Sequence, residues 1–274
     1  MMGAIYALIA LGLSIVFGVM NVTNFAHGDF VMIAMYLTYL VGTYMIMDAA
    51  ITPLITVPIL FIFGYITYLL IIHKTLRMPW VIQLAVTVGL QILLRAGAQI
   101  IFQAQPRALQ YSIIQGSFNI GSYTILTSRL VSAVVSLIII GIFAWFLNKT
   151  WTGAAMRAAS DDLDTASLMG VNYKRIYALT FALGAALTAV AAGLMMSFQQ
   201  TDPMGGVRFG FLSWCILALA GLGSIPGLIV SGIIIGIVET LTVSFWDPRA
   251  RLLGVYAIFI LVLWLKPKGL FGRK

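Results

Sequence analysis

Apolar runs recur along the whole chain, at roughly 2–20, 29–47, 52–72, 81–103, 128–147, 176–198, 206–223, 227–245 and 252–265, and they leave it few ways to fold. Most are near the length that a helix needs to cross a hydrocarbon core of about 30 Å. There, every backbone N–H and C=O must be satisfied internally, which restricts the choice to helices or a closed barrel. The alternation of barrel strands is missing, so helices are expected. Only 9% of the 274 residues are charged and 61% are hydrophobic, whereas soluble domains hold about 25% charged residues. The reading is all-α: a polytopic transmembrane helical bundle of about eight to nine spans, one domain over 1–274. The first run lacks a basic n-region and continues into further spans, so it reads as a transmembrane helix and not as a cleaved signal.

Basic residues set the orientation. His73–Arg77, the group Lys149, Arg157, Lys174 and Arg175, and the closing Lys266, Lys268, Arg273 and Lys274 can all face the cytoplasm together. Segments 104–127, 200–205 and Trp246–Arg251 then fall outside, with Arg208, Arg249 and Arg251 against the rule. The first 73 residues contain no Lys or Arg, so charge leaves the N-terminal orientation open. The net charge of +8 is thus topological, and no nucleic-acid partner is expected. Segment 104–127, with Pro106, Gly116 and Gly121, reads as an external loop with a short strand pair. Cys215 reads as a packing residue.

Chemistry-bearing motifs are sparse. The sequence holds no G-x-x-x-x-G-K-[ST] loop, HExxH, cysteine cluster or G-x-S-x-G elbow, so neither a catalytic residue nor a metal site is expected. Polar groups within the runs stand out instead, because a charge near the bilayer centre costs about 2.5 kcal/mol or more. Gln83, Thr87, Gln91, Arg95, Gln99 and Gln103 recur every four residues, a stripe that drifts about 40° per step around a helix. It serves either interhelical hydrogen bonding or the wall of a hydrated path. Glu239 follows Gly232-x-x-x-Gly236, a spacing that lets backbones approach closely. It is expected to pair with a basic group such as Arg95; the other reading is a proton-coupling carboxylate. Asn21–Asp29 (NVTNFAHGD) is either a surface loop or a broken-helix segment at depth. Gly221-Leu-Gly-Ser-Ile-Pro-Gly227 must interrupt any helix, most simply as a turn. Asn24, His27, Asp29, Gln91, Arg95 and Glu239 are the candidates for a substrate path.

A polar island, Asn148–Tyr177, holds seven of the 24 charged residues. Ser160 or Asp161 can N-cap a short helix with Asp162 in its first turn. That helix is expected to run to about Met169, with Leu163, Ala166 and Met169 on one side and Gly170 as its stop. Asn172 can cap the helix that follows. So short a helix is marginal in water, so the rest of the chain or a partner must hold it.

Asp164-Thr165-Ala166, three residues, then Gly170 resembles the E-A-A-x-x-x-G coupling motif of ATP-binding-cassette importer permeases, with Asp for Glu and Thr for Ala. The downstream Ile/Leu/Pro elements of that motif are not evident. More of the chain is similar to the branched-chain amino acid permeases of the LivH type. The matching stretches are Gly3-x-x-Tyr6-Ala7-Leu8, Phe17-Gly18, Asn24–Phe30, Gly153-x-x-Met156-Arg157-Ala158, Leu179–Leu187, Gly221–Gly227 and Lys266–Gly272. The chain departs from the family in beginning almost inside the first motif. The resemblance implies a non-catalytic, multi-pass subunit of the bacterial inner membrane, binding no cofactor itself. It would move branched-chain amino acids by alternating access, with ATP hydrolysed by two cytoplasmic ATPase subunits. A second permease (a paralogue or the same chain) and a periplasmic substrate-binding protein complete the set. It also implies that the island is the ATPase contact, through Arg157, Asp161, Asp162, Asp164, Thr165, Ala166 and Gly170. A urea or short-amide permease of the same build is one alternative. An ion-coupled secondary transporter or a passive channel is another, and either leaves the island without a role.

Overall fold

A computed structural model describes residues 1–76, 78–109, 116–120, 123–221 and 223–272. Arg77, Gly121, Leu222, Arg273 and Lys274 therefore lie outside the described residues. The chain folds as an all-α bundle. Helix α1 (Met2–Met20) is followed by α2 (His27–Tyr44) and by α3 (Pro53–Thr67), which continues through a π-helical turn, Tyr68–Ile72, into α4 (His73–Thr75). Helix α5 (Trp80–Phe102) leads to a hairpin of β1 (Ser117–Ile120) and β2 (Tyr123–Leu126), the strand pair expected of the outer loop. Then come α6 (Thr127–Lys149), α7 (Trp151–Asp161), α8 (Leu163–Leu168), α9 (Tyr173–Met196), α10 (Gly205–Ala220), α11 (Ile225–Phe245) and α12 (Arg251–Leu265). Among the described residues six stretches are long and apolar enough to cross a bilayer: α1, α3 to α4, α5, α6, α9 and α11. With α2 and the shorter α10 and α12 they account for every apolar run read from the sequence.

Lipid tails are as apolar as leucine, so helices in a bilayer associate by close packing of small faces. The core obeys this. Helix α1 lies at its centre, buried along nearly its whole length. A Cβ added at Gly3 would collide with the Gly232 carbonyl, and one at Gly232 or Gly236 would strike the α1 backbone at Gly3. The Gly232-x-x-x-Gly236 face thus seats α11 on α1. Gly12 and Gly184 play the same part between α1 and α9.

The two ends of the bundle differ in charge. One cavity joins Gly18 and Asn21 to Asn148, Arg157 and Ser160, and a second joins Met20 to His73, Lys74 and Lys174. The tail after α12 returns to that end, with the Leu270 and Phe271 N–H groups donating to Leu219 and Ala220. Lys74, Lys149, Lys174, Lys266 and Lys268 therefore share the island end, which the positive-inside rule assigns to the cytoplasm. The start of α1 lies at the opposite end, where Met2 shares a cavity with Arg129, Arg208, Glu239 and Arg251. Charge in the sequence left this orientation open, and the packing supplies it.

The Asn21–Asp29 segment is not a surface loop. After α1, Asn21 turns the chain with a φ of 51°. The chain then folds back, and the His27 ring at the start of α2 donates through Nε2 to the Ile9 carbonyl, near the middle of α1, at 2.9 Å. The α1–α2 connection is therefore re-entrant, and α2 begins inside the bundle. Gly221–Gly227 is by contrast a turn: α10 stops at Ala220, Gly221 and Gly223 have φ of 80°, and Ser224 caps α11 through the Gly227 N–H.

The island holds two helices where one was expected. Thr150 caps α7 through the Gly153 N–H, and α7 runs through Ser160 and Asp161. The cap of α8 is Asp162, with extended backbone at φ −154°, so neither Ser160 nor Asp161 starts a helix. Ser160 instead donates its hydroxyl to the Gly18 carbonyl at 2.7 Å, tying α7 to the end of α1. Gly170, at φ 87°, ends α8, and Asn172 caps α9 by accepting from the Arg175 N–H, both as expected. The proposed apolar side of α8 is not continuous: Ala166 is buried and Leu163 half-buried, but Met169 lies past the helix and is 82% exposed.

Candidate functional site

The re-entrant segment and α5 form the first polar locus. Asn24 Oδ1 accepts from the Ala26 N–H at 3.1 Å, which shapes the turn into α2. Asp29, fully buried in the first turn of α2, accepts from Arg95 Nε and Nη2, each at 3.3 Å. Gln91 approaches the same carboxylate. One turn earlier, the Thr87 hydroxyl donates to the Thr23 carbonyl at 3.0 Å. Five of the candidates, Asn24, His27, Asp29, Gln91 and Arg95, therefore come together. Their polar atoms are largely spent on one another and on backbone groups, so here the stripe on α5 serves interhelical bonding. Gln83 is likewise committed to the Met78 carbonyl, whereas Gln99 and Gln103 are exposed.

The start of α2 rests directly on α10. A Cβ on Gly28 would overlap the Gly206 carbonyl and the Gly210 backbone, and one on Gly206 would meet the Asp29 carboxylate at 2.5 Å. Only glycine fits on both sides, so the Asp29–Arg95 pair is seated on the first turn of α10.

Glu239 does not meet Arg95. Helix α11 carries it to the other end of the bundle, beside the start of α12, where Arg251 Nε lies 2.8 Å from Oε1. The expected ion pair with a basic group is present, but its partner is Arg251 in place of Arg95: α5 reaches the core through α2, and Arg95 is taken by Asp29. Glu239 is almost fully buried, close to the Tyr6 hydroxyl, and borders an outer cavity of about 440 Å³. Arg129, Arg208, Arg251 and Asp202 border it too. Arg129, Asp202 and Arg208 were not among the candidates read from the sequence. Part of the signal was present: of the three arginines that strained the positive-inside rule, Arg208 and Arg251 border this cavity.

At the island end, Asp162 Oδ1 accepts from the Asp164 and Thr165 N–H groups at 3.0 and 3.1 Å. The Thr165 hydroxyl donates to its other oxygen, and together these bonds hold the exposed carboxyl below the usual carboxylate range. Asp161, Asp164 and Arg157 are solvent-facing, and Arg157 borders an inner cavity of about 510 Å³ beneath α7. Leu168 and Met169 project with more than four-fifths of their surface exposed. Ala166 packs inward. Among the described residues no three His, Cys, Asp or Glu side chains gather as a metal cage.

Comparison with known proteins covers this whole architecture. The family model described as branched-chain amino acid transport system / permease component matches residues 1–263. The high-affinity branched-chain amino acid transport system permease protein LivH of Escherichia coli K12 is 30% identical, over 99% of this chain and 92% of its own length. LivH of Salmonella typhimurium is similar to the same extent. BraD, the corresponding permease protein of Pseudomonas aeruginosa, is 28% identical over 99% of this chain and 92% of its own. No solved structure matches. With its membrane-length helices, its re-entrant segment and its full-length match, the chain belongs to the branched-chain amino acid transport system permease family.

Proposed function

We propose that this protein is the membrane-spanning subunit of an ATP-driven importer of branched-chain amino acids. The observation that carries the coupling half of this reading is the island surface. Two short capped helices are fastened to the bundle by Ser160 and Ala166 while Leu168, Met169, Asp161 and Asp164 stand clear of it. So short a helix with apolar residues in solvent suits a groove on a soluble partner, and two cytoplasmic ATPase subunits are that partner here. ATP-driven closure of the ATPases would push on α7 and α8. A rigid-body shift of α1, to which α7 is tied, would then switch access between the two faces. A second permease and a substrate-binding protein on the outer side complete the transporter. In this role the subunit is non-catalytic, binds no cofactor and resides in a bacterial inner membrane.

Reconstitution in liposomes tests the reading. Leucine uptake is expected only when the ATPases, ATP and binding protein are all supplied. Uptake by this chain alone, or uptake of urea in place of leucine, would overturn it. Gly170→Pro, or Asp161→Lys with Asp164→Lys, should abolish co-purification of the ATPases while membrane insertion stays normal. Co-purification at wild-type levels would remove the island from the coupling role.

A further inference from the structure

The outer cavity holds an unusual set of charges for a membrane protein. Three arginines (Arg129, Arg208 and Arg251) and two carboxylates (Asp202 and Glu239) converge on a space of about 440 Å³. That volume lies in the range of small-molecule sites. The charges are not paired off. Arg251 is committed to Glu239, but Arg129 and Arg208 have no carboxylate partner among the described residues. They lie over aromatic faces instead, Arg129 at 5.6 Å from the Phe198 ring centre and Arg208 at 4.7 Å from that of Phe209. Arg208 Nε is buried with no hydrogen-bond partner. Glu239 Oε1 is also without a hydrogen bond, because the Arg251 contact, although close, is out of line for one. Buried polar atoms are rarely left unsatisfied unless a ligand or water completes them.

Resting on the transport reading, we propose that this cavity is an outer binding site for a free α-amino acid zwitterion. The two uncommitted guanidinium groups, Arg129 and Arg208, are the donors for its carboxylate; an arginine fork matches a carboxylate in two-point geometry. Glu239 and Asp202 are the acceptors for its ammonium group. A surplus of one cation keeps the site attractive to the carboxylate end. Urea carries neither charge and leaves both sets of groups uncompensated, so the site discriminates against it. A site that must hydrogen-bond a given group rejects analogues lacking that group far more strongly than an apolar pocket rejects a missing methylene. The position also connects to the rest of the molecule. Arg208 sits in the first turn of α10, two residues from Gly206, on which the Asp29–Arg95 pair is seated. A ligand drawing Arg208 toward its carboxylate acts on that turn.

The test is equilibrium binding of radiolabelled leucine to the permease–ATPase complex in nanodiscs, without binding protein. The competitors are leucinamide, which lacks the carboxylate, 4-methylpentanoate, which lacks the ammonium, and urea. Leucine should compete at least tenfold better than each analogue. Arg208→Gln and Arg129→Gln should each weaken leucine binding about tenfold or more, with Arg208→Lys recovering part of the loss. If Arg208→Gln fails to fold, Asp202→Asn provides the second reading: it should weaken leucine while leaving competition by 4-methylpentanoate unchanged. Equal competition by leucine and leucinamide would overturn the proposal, as would unchanged leucine binding in both arginine variants. Loss of binding-protein capture with leucine binding intact would also overturn it, making the cluster a protein-docking face. Liposome uptake separates this inference from the transport reading. Specific leucine binding without ATP-dependent uptake removes the transport reading alone, and uptake without charge selectivity in binding removes the site alone.

Discussion

Helices α1 and α5 are both apolar and both long enough to span a bilayer, yet 78% of the α1 span is buried within the chain against 17% for α5. Hydropathy does not explain the difference, since α6 is more apolar than α1 and only 28% of its span is buried. Contact faces do. Helix α1 presents Gly3, Ala7 and Gly12 to neighbours that answer with Gly232, Gly236 and Gly184, so backbones close to within a side chain's thickness. Helix α5 has no such face; it attaches through Thr87, Gln91 and Arg95, a short row of polar anchors on the re-entrant segment, and through Ala98 and Phe102 packed on Met32 and Tyr36 of α2. In a bilayer, where hydrophobicity cannot drive helices together, small residues make a core and polar residues fasten a peripheral helix.

Each half of that contrast can be broken. The largest effect is expected at the glycine face: Gly3→Leu drives a side chain into the Gly232 backbone and should abolish monodisperse protein in size-exclusion chromatography. A wild-type profile would show that close approach is not what seats α11. Next is the anchor. Arg95→Gln leaves Asp29 buried without its counter-charge and should cost about 3 kcal/mol, read from denaturant unfolding in micelles. The double variant Asp29→Asn with Arg95→Gln should regain most of that loss, and a merely additive result would mean that the two residues are not coupled. Gln91→Leu should be smaller, about 0.6 kcal/mol, the mean for an interhelical hydrogen bond in a membrane protein.

The smallest global effect belongs to the surface cap. Asp162→Ala should leave the unfolding midpoint unchanged and speed amide exchange only in α8, since the cap is local and exposed. The Asp162 carboxyl is depressed in the folded chain, so its contribution is fully present above the ordinary carboxylate value of about 3.9. It fades as pH falls through the lower folded value. Protection of α8 should therefore be constant between pH 7 and 5, after correction for intrinsic exchange. A loss in that interval would show that the cap does not hold the helix.

The helices and the turn at Gly221–Gly227 were legible because apolar run length and glycine–proline punctuation are local signals. So was the cap at Asn172. The cap at Asp162 lies one or two residues beyond the expected Ser160 or Asp161, because the tertiary bond from Ser160 to Gly18 keeps Ser160 inside α7. Polarity alone flagged Asp29, Gln91 and Arg95 as a group. What it could not supply was depth: only the long-range bond from His27 to Ile9 shows that Asn21–Asp29 re-enters the bundle. Glu239 went to the wrong partner for the same reason, since pairing depends on which end of α11 meets α12. Two of the outer arginines, Arg208 and Arg251, were visible as exceptions to a charge rule, whereas Arg129 carried no such mark.

The contact of Gly28 with Gly206 and Gly210 has a mechanical consequence. Two helix starts meet there, the Gly28 backbone against Gly206 and Gly210, with the Asp29 carboxylate over Gly206. Burying a glycine freezes no rotamers, so a change of angle at such a surface neither releases nor demands side-chain entropy. It also leaves no gap, because even a single added methyl group would overlap the facing backbone. With no side chain between the Gly28 and Gly210 backbones to absorb a displacement, a motion begun at one end of α10 would be passed to α2 with little slack.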